Sequence, residues 1–434
     1  MRKTIQRHVM ENWDRLFPDA ARPDALHTLQ VSQSHNKDFS MGRIVHLLFA
    51  GVDDRPVAVA KFCRDGSYER SIENEARLMR EISASPLRGG VPALLDTAVL
   101  GGRLVMFEEA APGVPMSLHA QEAFYRLEKG GEAFKGLVRG HFRKAGSFIK
   151  EMRAVAASGG GAGGGEFWDE AGPVIAKYVD MLGITGAEEY LAFGLGRAAE
   201  QVLGKESGAH LAHMDFIPSN LFLAEEVGDG GDGGAVGVKV IDWEFSRVSR
   251  MGFIDTMRFV YYYFNLLNRH GALGEDASFD TFVRFGNWFS EAAMEFAAEV
   301  EGPALNDEDA FRTLLGLSLV YEATLQVEVV GGVEITDIPP IRNAVNLLSG
   351  LHSLREREML KGEVKALKEQ AEEQERRIGE KERRIAELGR ANGALDQERR
   401  RLDTELNSML GSKSWRITYP LRWVTGTLKG IKPG

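Results

Sequence analysis

From Pro56 to Phe62 small and apolar residues alternate, with one lysine, Lys61, near the end of the run. A period of two predicts a strand, here one that carries a buried ammonium. Ser71 to Ile82 reads as a helix with two acids, Glu73 and Glu75, in its first half. Arg103 to Glu109 reads as another strand, running through Ala110 and Ala111 into a Pro112-Gly113 turn. Two short apolar strands follow, one from Leu221 and one from Val238. Asp215 and Asn220 precede the first, and Asp242 ends the second.

Beyond Leu354 the pattern changes. One heptad register fits through Leu410 without a stutter. Its d positions are Leu360, Leu367, Gln374, Lys381, Leu388, Leu395, Leu402 and Met409. Its a positions are Val364, Ala371, Ile378, Ile385, Asn392, Arg399 and Leu406. At 1.5 Å per residue this predicts a rod of roughly 75–85 Å. The polar residues Gln374, Lys381, Asn392 and Arg399 weaken the seam. Gly362, Gly379, Gly389 and Gly393 each cost the helix about 1 kcal/mol. A long solvated single helix is the plainer alternative. Ile at a, Leu at d and Asn392 at a lean toward two strands, with three still open.

Candidate chemistry sits on the paired strands. His213-Met214-Asp215 through Asn220, followed by Ile241-Asp242-Trp243-Glu244, places a carboxylate, an amide and a second carboxylate at the ends of two apolar strands. Phosphoryl transfer from Mg-ATP needs such a set. One carboxylate orients the acceptor hydroxyl and takes its proton, while an amide oxygen and a second carboxylate hold the metal. Asp215, Asn220 and Asp242 fit those roles in that order. The plain alternative is that His213 and Asp215 only tie a turn together.

The pattern resembles the protein-kinase-like phosphotransferases, most closely their aminoglycoside phosphotransferase and choline kinase branch. That branch typically shows H-G-D-x-x-x-x-N and I-D-W/F-E, and this chain has Met214 at the usual glycine. The resemblance implies an α+β bilobal kinase-like fold, ATP and Mg²⁺ as cofactors, and Lys61 as the lysine that grips the phosphates. It also implies a glutamate from the following helix as the partner of that lysine. Glu75, placed before Ala76-Arg77-Leu78, is the better match; Glu73 lies about 200° away round the helix, so both cannot face Lys61. Glu109, Ala110 and Ala111 would form the hinge whose backbone bonds the adenine. The phosphate-covering turn should lie between Leu29 and Ile44, in the polar stretch Ser32–Gly42, which lacks G-x-G-x-x-G. Asp255 would brace the catalytic loop or serve as a plain helix cap. Tyr261, Tyr262 and Tyr263 should pack in the large lobe.

Two glycine-rich stretches carry no phosphate chemistry. Ser158–Gly165 has no following Lys-Ser/Thr and no preceding strand, so it reads as a flexible loop between helices. Gly228–Gly237 reads as an expanded hairpin tip.

Composition narrows the class. The 434 residues allow two to three domains, and the net charge of −10 argues against a general nucleic-acid binder. The sole cysteine, Cys63, excludes an internal disulfide framework and suits a reducing cytosol. No apolar run approaches the roughly 18 residues that span a bilayer. The start, Met1 to His8, lacks the apolar core of a signal peptide.

Past the rod, Gly411 to Lys432 holds five basic residues and no acid, with Trp415, Tyr419 and Trp423 interleaved among aliphatic residues. Such a tail suits an anionic membrane surface, with a bend at Pro420. A disordered tail or a patch that docks on a partner protein is the alternative. The run S-x-S-W-R-x-T-x-P-L-R resembles the C-termini of many bacterial glycosyltransferases and polysaccharide-capping enzymes. A kinase-like domain joined to a rod and such a tail is similar to the kinase part of O-antigen chain-terminating methyltransferase–kinases, without their methyltransferase domain.

The expected organisation is an N-terminal segment 1–24, a small lobe 25–112, a large lobe 113–348, a coiled coil 354–410 and a tail 411–434. The expected activity is ATP-dependent phosphorylation of a sugar hydroxyl on a lipopolysaccharide or capsule glycan, at the cytoplasmic face of the inner membrane. The expected partners are the glycan acceptor, further copies of the chain as dimer or trimer, and an anionic membrane or a glycosyltransferase; no nucleic acid is expected. The rivals are a kinase for a small soluble alcohol or amine and a non-catalytic scaffold. Lys61, Asp215, Asn220 and Asp242 together count against the scaffold.

Overall fold

Ile5, Val9, Trp13 and Leu16 recur at helical spacing and are all buried. In the computed structural model they lie on α1 (Arg2–Glu11) and α2 (Trp13–Leu16). They pack on the outer face of a sheet, against Leu26, Leu48, Ala58, Ala60, Phe62, Val105 and Phe107. Each such side chain contributes about 1.5–3 kcal/mol by leaving water. The first 24 residues therefore cover the small lobe. The structure describes residues 1–32, 43–51, 54–64, 66, 69–128, 131–158, 166–183, 187–204, 208–224, 237–273, 278–330, 376–378, 381, 384, 388–391 and 393–408.

The sheet is antiparallel, in the order β1-β2-β3-β5-β4. Its strands are β1 (Leu26–Ser32), β2 (Arg43–Ala50), β3 (Ala58–Cys63), β4 (Leu94–Leu100) and β5 (Arg103–Glu109), with α3 (Glu69–Ser83) between β3 and β4. Register decides which side chains share a face. Val31, Val45, Lys61 and Met106 are cross-strand partners, as are Leu29, Leu47, Val59 and Glu108. Both rows lie on the face opposite α1. On that face Leu29 and Val31 remain exposed.

The chain then turns through Gly113 into β6 (Val114–Pro115), α4 (Met116–Arg126), α5 (Glu132–Ser158), α6 (Phe167–Leu182) and α7 (Ala187–Leu203). Short strands follow: β7 (His210–Ala212), β8 (Leu221–Leu223), β9 (Val238–Val240) and β10 (Arg247–Ser249). The lobe closes with α8 (Phe253–Arg269), α9 (Phe279–Val283), α10 (Trp288–Glu301) and α11 (Glu308–Val330). An aromatic cluster from α5, α8 and α10, including Phe142, Phe259, Tyr263, Phe289 and Phe296, forms its core. Gly113, at φ +88°, is required where it stands: an added Cβ would lie 1.8 Å from the Leu223 carbonyl oxygen. This close approach ties the turn to β8.

The architecture is the bilobal α+β one expected. The chain divides into two units, Met1–Lys361 and Gly362–Gly434. In the second, residues 393–408 are helical. Ile378, Leu388, Leu395, Leu402 and Leu406 are its exposed large apolar residues among those described, and all fall on a or d of the heptad register. The stretch 33–42, where the phosphate-covering turn is expected, the glycine-rich 159–165 and 225–236, most of the rod and the tail 411–434 lie outside the described residues. No helix among the described residues is long and apolar enough to cross a membrane.

Candidate active site

Lys61 lies in the centre of β3 and is buried. Its Nζ is 2.9 Å from Glu75 Oε1 on α3 and 2.9 Å from Glu108 Oε1 on β5. Glu75 rather than Glu73 therefore faces the lysine. Burial opposes the charge on Glu75, but Lys61 and Arg43 outweigh it and hold the carboxyl at about 2. Glu108 has only Lys61, so burial wins and lifts it to about 7. Its second oxygen has no partner among the described residues.

Arg43 was not singled out from the sequence, yet it crosses the whole cluster. It opens β2, two residues from Val45, the cross-strand partner of Lys61. Its Nη1 donates to Glu75 Oε2 and to Asp242 Oδ1, the latter at 3.0 Å, and its Nη2 is 2.8 Å from Glu244 Oε2. Lys61 Nζ stands 3.9 Å from the same Asp242 oxygen. Burial opposes both cations, and the surrounding carboxylates raise their pKa values well above the ordinary range.

The loop that runs from His213 to Asn220 is held from behind by α8. Both oxygens of Asp255 accept backbone N–H groups, from His213 and Met214, at 2.7 Å each. Asp255 thus braces the loop and is not a helix cap: it is the third residue of α8, whose N-cap is Gly252. Burial pushes its carboxyl up to about 7 against the pull of those two N–H groups. His213 is neutral, its pKa lowered to about 4 chiefly by burial. Its Nε2 donates to the Ile241 carbonyl at 3.0 Å, and Nδ1 accepts the Asp215 N–H at 3.3 Å. His213 therefore ties the loop to the end of β9. Met214 is left-handed, at φ 64°, a conformation that costs a side chain with a Cβ about 1–2 kcal/mol. That geometry is why glycine suits the position. Here Asp255 and a bond from Arg258 Nη1 to the Met214 carbonyl, at 2.5 Å, hold it in place.

Asp215 carries one cation and one amide. Arg258 Nη2 donates to Oδ1 at 2.7 Å, and Asn220 Nδ2 donates to Oδ2 at 2.9 Å. Burial pushes Asp215 up to about 6, with Arg258 pulling the other way. Arg258 also bonds Glu322 of α11 at 3.0 Å, and Tyr262 donates to Glu322 at 2.6 Å. So Tyr261 and Tyr263 pack in the core as expected, but Tyr262 belongs to the network behind Asp215. Arg258 was legible in principle, because it stands three residues after Asp255 on one helical face.

The β8–β9 register brings Asn220 beside Ile241, whose N–H bonds the Asn220 carbonyl at 3.0 Å, and so beside Asp242. With Nδ2 on Asp215, Asn220 Oδ1 has no partner among the described residues, and neither does Asp242 Oδ2. One amide oxygen and one carboxylate fit a magnesium ion, which takes one or two carboxylates plus substrate phosphates. No cluster of three His, Cys, Asp or Glu that could cage a metal by itself occurs among the described residues.

At the hinge, the Glu109 N–H bonds the Ala93 carbonyl at 2.8 Å, and the Ala110 N–H bonds the Val57 carbonyl at 3.4 Å. Both donors are used within the small lobe. The Ala111 N–H makes no such bond among the described residues. Leu29 and Val31 are exposed on the same sheet face as Lys61.

No protein-family model and no curated protein matches the chain. Solved structures do. The gentamicin complex of the aminoglycoside phosphotransferase APH(2")-IIa is similar at 14% identity, covering 80% of this chain and 96% of that one, with a TM-score of 0.43. An ethanolamine kinase from Plasmodium vivax is similar at 12% identity over 81% and 89%, also at 0.43. A glucosamine kinase bound to glucosamine, ADP and phosphate is similar at 13% identity over 78% and 97%, at 0.39.

Proposed function

We propose that the chain is an ATP- and Mg²⁺-dependent phosphotransferase acting on an alcohol, and that its acceptor is a sugar hydroxyl of a bacterial surface glycan. The observation that carries the first part is the Lys61–Glu75 pair at 2.9 Å, on the same cluster as Asp242 and across from Asp215 and Asn220. The Ala111 N–H and the apolar face formed by Leu29, Leu47 and Val59 with Val31 beside them suit a nucleobase. Lys61, fixed by Glu75, positions the phosphates. Asp215 holds its carboxylate toward the acceptor and takes the hydroxyl proton; a base works best with a pKa near the operating pH, and burial has moved Asp215 that way. Arg258 and Asn220 fix the plane of that carboxylate. A magnesium ion on Asn220 and Asp242 would supply positive charge to the phosphates as the bond to the leaving group breaks.

The acceptor reading draws on the sequence beyond Leu354. A diffusible small acceptor needs neither a heptad rod nor a basic aromatic tail. A lipid-linked glycan at the cytoplasmic membrane face gives both a use, with the tail on anionic lipid or on a glycosyltransferase. The test is label transfer from γ-labelled ATP by the full chain, offered lipid-linked glycan acceptors alongside aminoglycosides and amino alcohols. Label on the glycan, lost in Asp215→Asn, supports the proposal. Efficient transfer only to a small soluble acceptor sinks the glycan reading, and no transfer to any acceptor with intact ADP binding sinks the enzyme reading.

A further inference from the structure

Four carboxyl groups, Glu75, Glu108, Asp242 and Glu244, share two cations, Lys61 and Arg43, among the described residues. All of these groups are buried or nearly so, and a buried charge that loses its partner is costly. Arg43 carries the larger share of the compensation, since it touches Glu75, Asp242 and Glu244 at once, with Ser71 Oγ at 3.4 Å. One of those carboxylates, Asp242, is the one a metal would need. A cation approaching Asp242 thus meets a guanidinium already on that carboxylate.

We infer that Arg43 is a third phosphate-binding cation, parked on Asp242 while the site is empty and drawn off to the nucleotide phosphates when metal and nucleotide enter together. This rests on the phosphotransferase reading above. Three features support the transfer. Arg43 shares a sheet face with Lys61, at a position two residues from its cross-strand partner. Its Nε has no partner among the described residues, so a donor is still available. A guanidinium suits phosphate oxygens through paired N–H bonds, which an ammonium cannot match. The metal alone has to share the Asp242 carboxylate with Arg43, cation against cation, with nothing to receive the guanidinium. With nucleotide present the phosphates receive it, so the two ligands favour each other's binding, and that coupling is reciprocal.

The test is Mn²⁺ binding to the full-length protein, followed by electron paramagnetic resonance with and without ADP. The proteins are the parent, Arg43→Gln, Arg43→Lys and Asp242→Asn. Linked sites couple by roughly 5- to 150-fold, and the parent is expected within that range. Arg43→Gln should bind Mn²⁺ alone about fivefold tighter or better and ADP more weakly, so the coupling shrinks. Arg43→Lys should fall between. If Arg43→Gln fails to fold by circular dichroism, Arg43→Lys decides by the same comparison. Unchanged or weaker Mn²⁺ binding in a folded Arg43 variant overturns the proposal. Parent and Asp242→Asn binding Mn²⁺ equally under every condition removes the metal site itself, and with it the wider reading. Loss of Mn²⁺ in Asp242→Asn with no effect in Arg43→Gln removes the Arg43 proposal alone.

Discussion

Arg258 and Asp215 meet at 2.7 Å, one on α8 and the other on the catalytic loop, and the same guanidinium bonds the carbonyl of Met214 and the carboxylate of Glu322. The candidate base is therefore fixed by a buried cation that is itself fixed from α11. Its chemical effect is to oppose the rise in pKa that burial imposes.

A pH profile reads that effect. Asp215 acts as a base only when ionised, so kcat/KM should rise with pH through about 6 and then level off. Arg258 favours the ionised form. Replacing it by Met should move the acidic limb to higher pH and lower kcat by part of the roughly 10²–10⁴-fold that a positioned base contributes. The same change takes a buried cation away from Glu322 and Asp215 and costs about 3–5 kcal/mol of stability. Arg258→Lys should restore much of the stability and move the limb back. An unshifted limb in a folded variant would assign Arg258 to scaffolding only.

Asp215 and Asp242 should separate in binding assays. Asp215→Asn should remove transfer and leave Mg-ADP binding nearly intact, because Asp215 bonds Arg258 and Asn220 and, in the proposed role, faces the acceptor. Asp242→Asn should weaken nucleotide binding in magnesium as well. Calorimetric titration of both proteins decides it, and equal loss in the two would reverse the role assignment.

The local motifs were readable from sequence and the long-range partners were not. Lys61, Asp215, Asn220 and Asp242 stand at ends or centres of short apolar runs, so their elements followed from pattern. Glu75 over Glu73 followed from helix geometry plus resemblance. Arg43 and Glu108 were missed because they join Lys61 only through the register of β2, β3 and β5, which no single strand encodes. The packing of α1 on the outer sheet face also depends on a surface that exists only after the sheet forms. Among the hinge backbone groups, the sequence could not say that Glu109 and Ala110 spend their N–H groups on Ala93 and Val57.

Gly113 gives a stability test away from the chemistry. Its φ is +88°, and an added Cβ would overlap the Leu223 carbonyl. Gly113→Ala should destabilise by about 1–2 kcal/mol from the left-handed backbone alone, and by more from the displaced strand. Thermal unfolding should show a lower midpoint. Gly89→Ala, where nothing lies within 4 Å of the added Cβ, is the matched control. Equal midpoints in the two variants would mean that the turn and β8 move apart freely.

The tail offers a salt test. Its five basic residues should draw the full chain to anionic vesicles at about 1 kcal/mol each, screened as salt rises. Deleting 411–434 should release the protein without changing ADP binding. Sedimentation with anionic and neutral vesicles at low and high salt is the measurement. If the intact chain ignores anionic lipid throughout, a protein partner is the better occupant.

The exposed heptad stripe predicts self-association. Leu388, Leu395 and Leu402 are 58%, 67% and 52% exposed and sit at successive d positions, with Leu406 at a. Apolar residues at a 3.5-residue period favour burial against a second helix of the same kind, and a second copy supplies one in matching register. The full chain should therefore be a dimer or trimer by light scattering at micromolar concentration. Leu395→Glu with Leu402→Glu places charges at two d layers and should return the chain to a monomer, with ADP binding unchanged. A chain ending at Leu348 should likewise be monomeric. A monomeric parent would assign 354–410 to a single solvated helix. Dimers that survive both leucine substitutions would place the interface elsewhere in the protein.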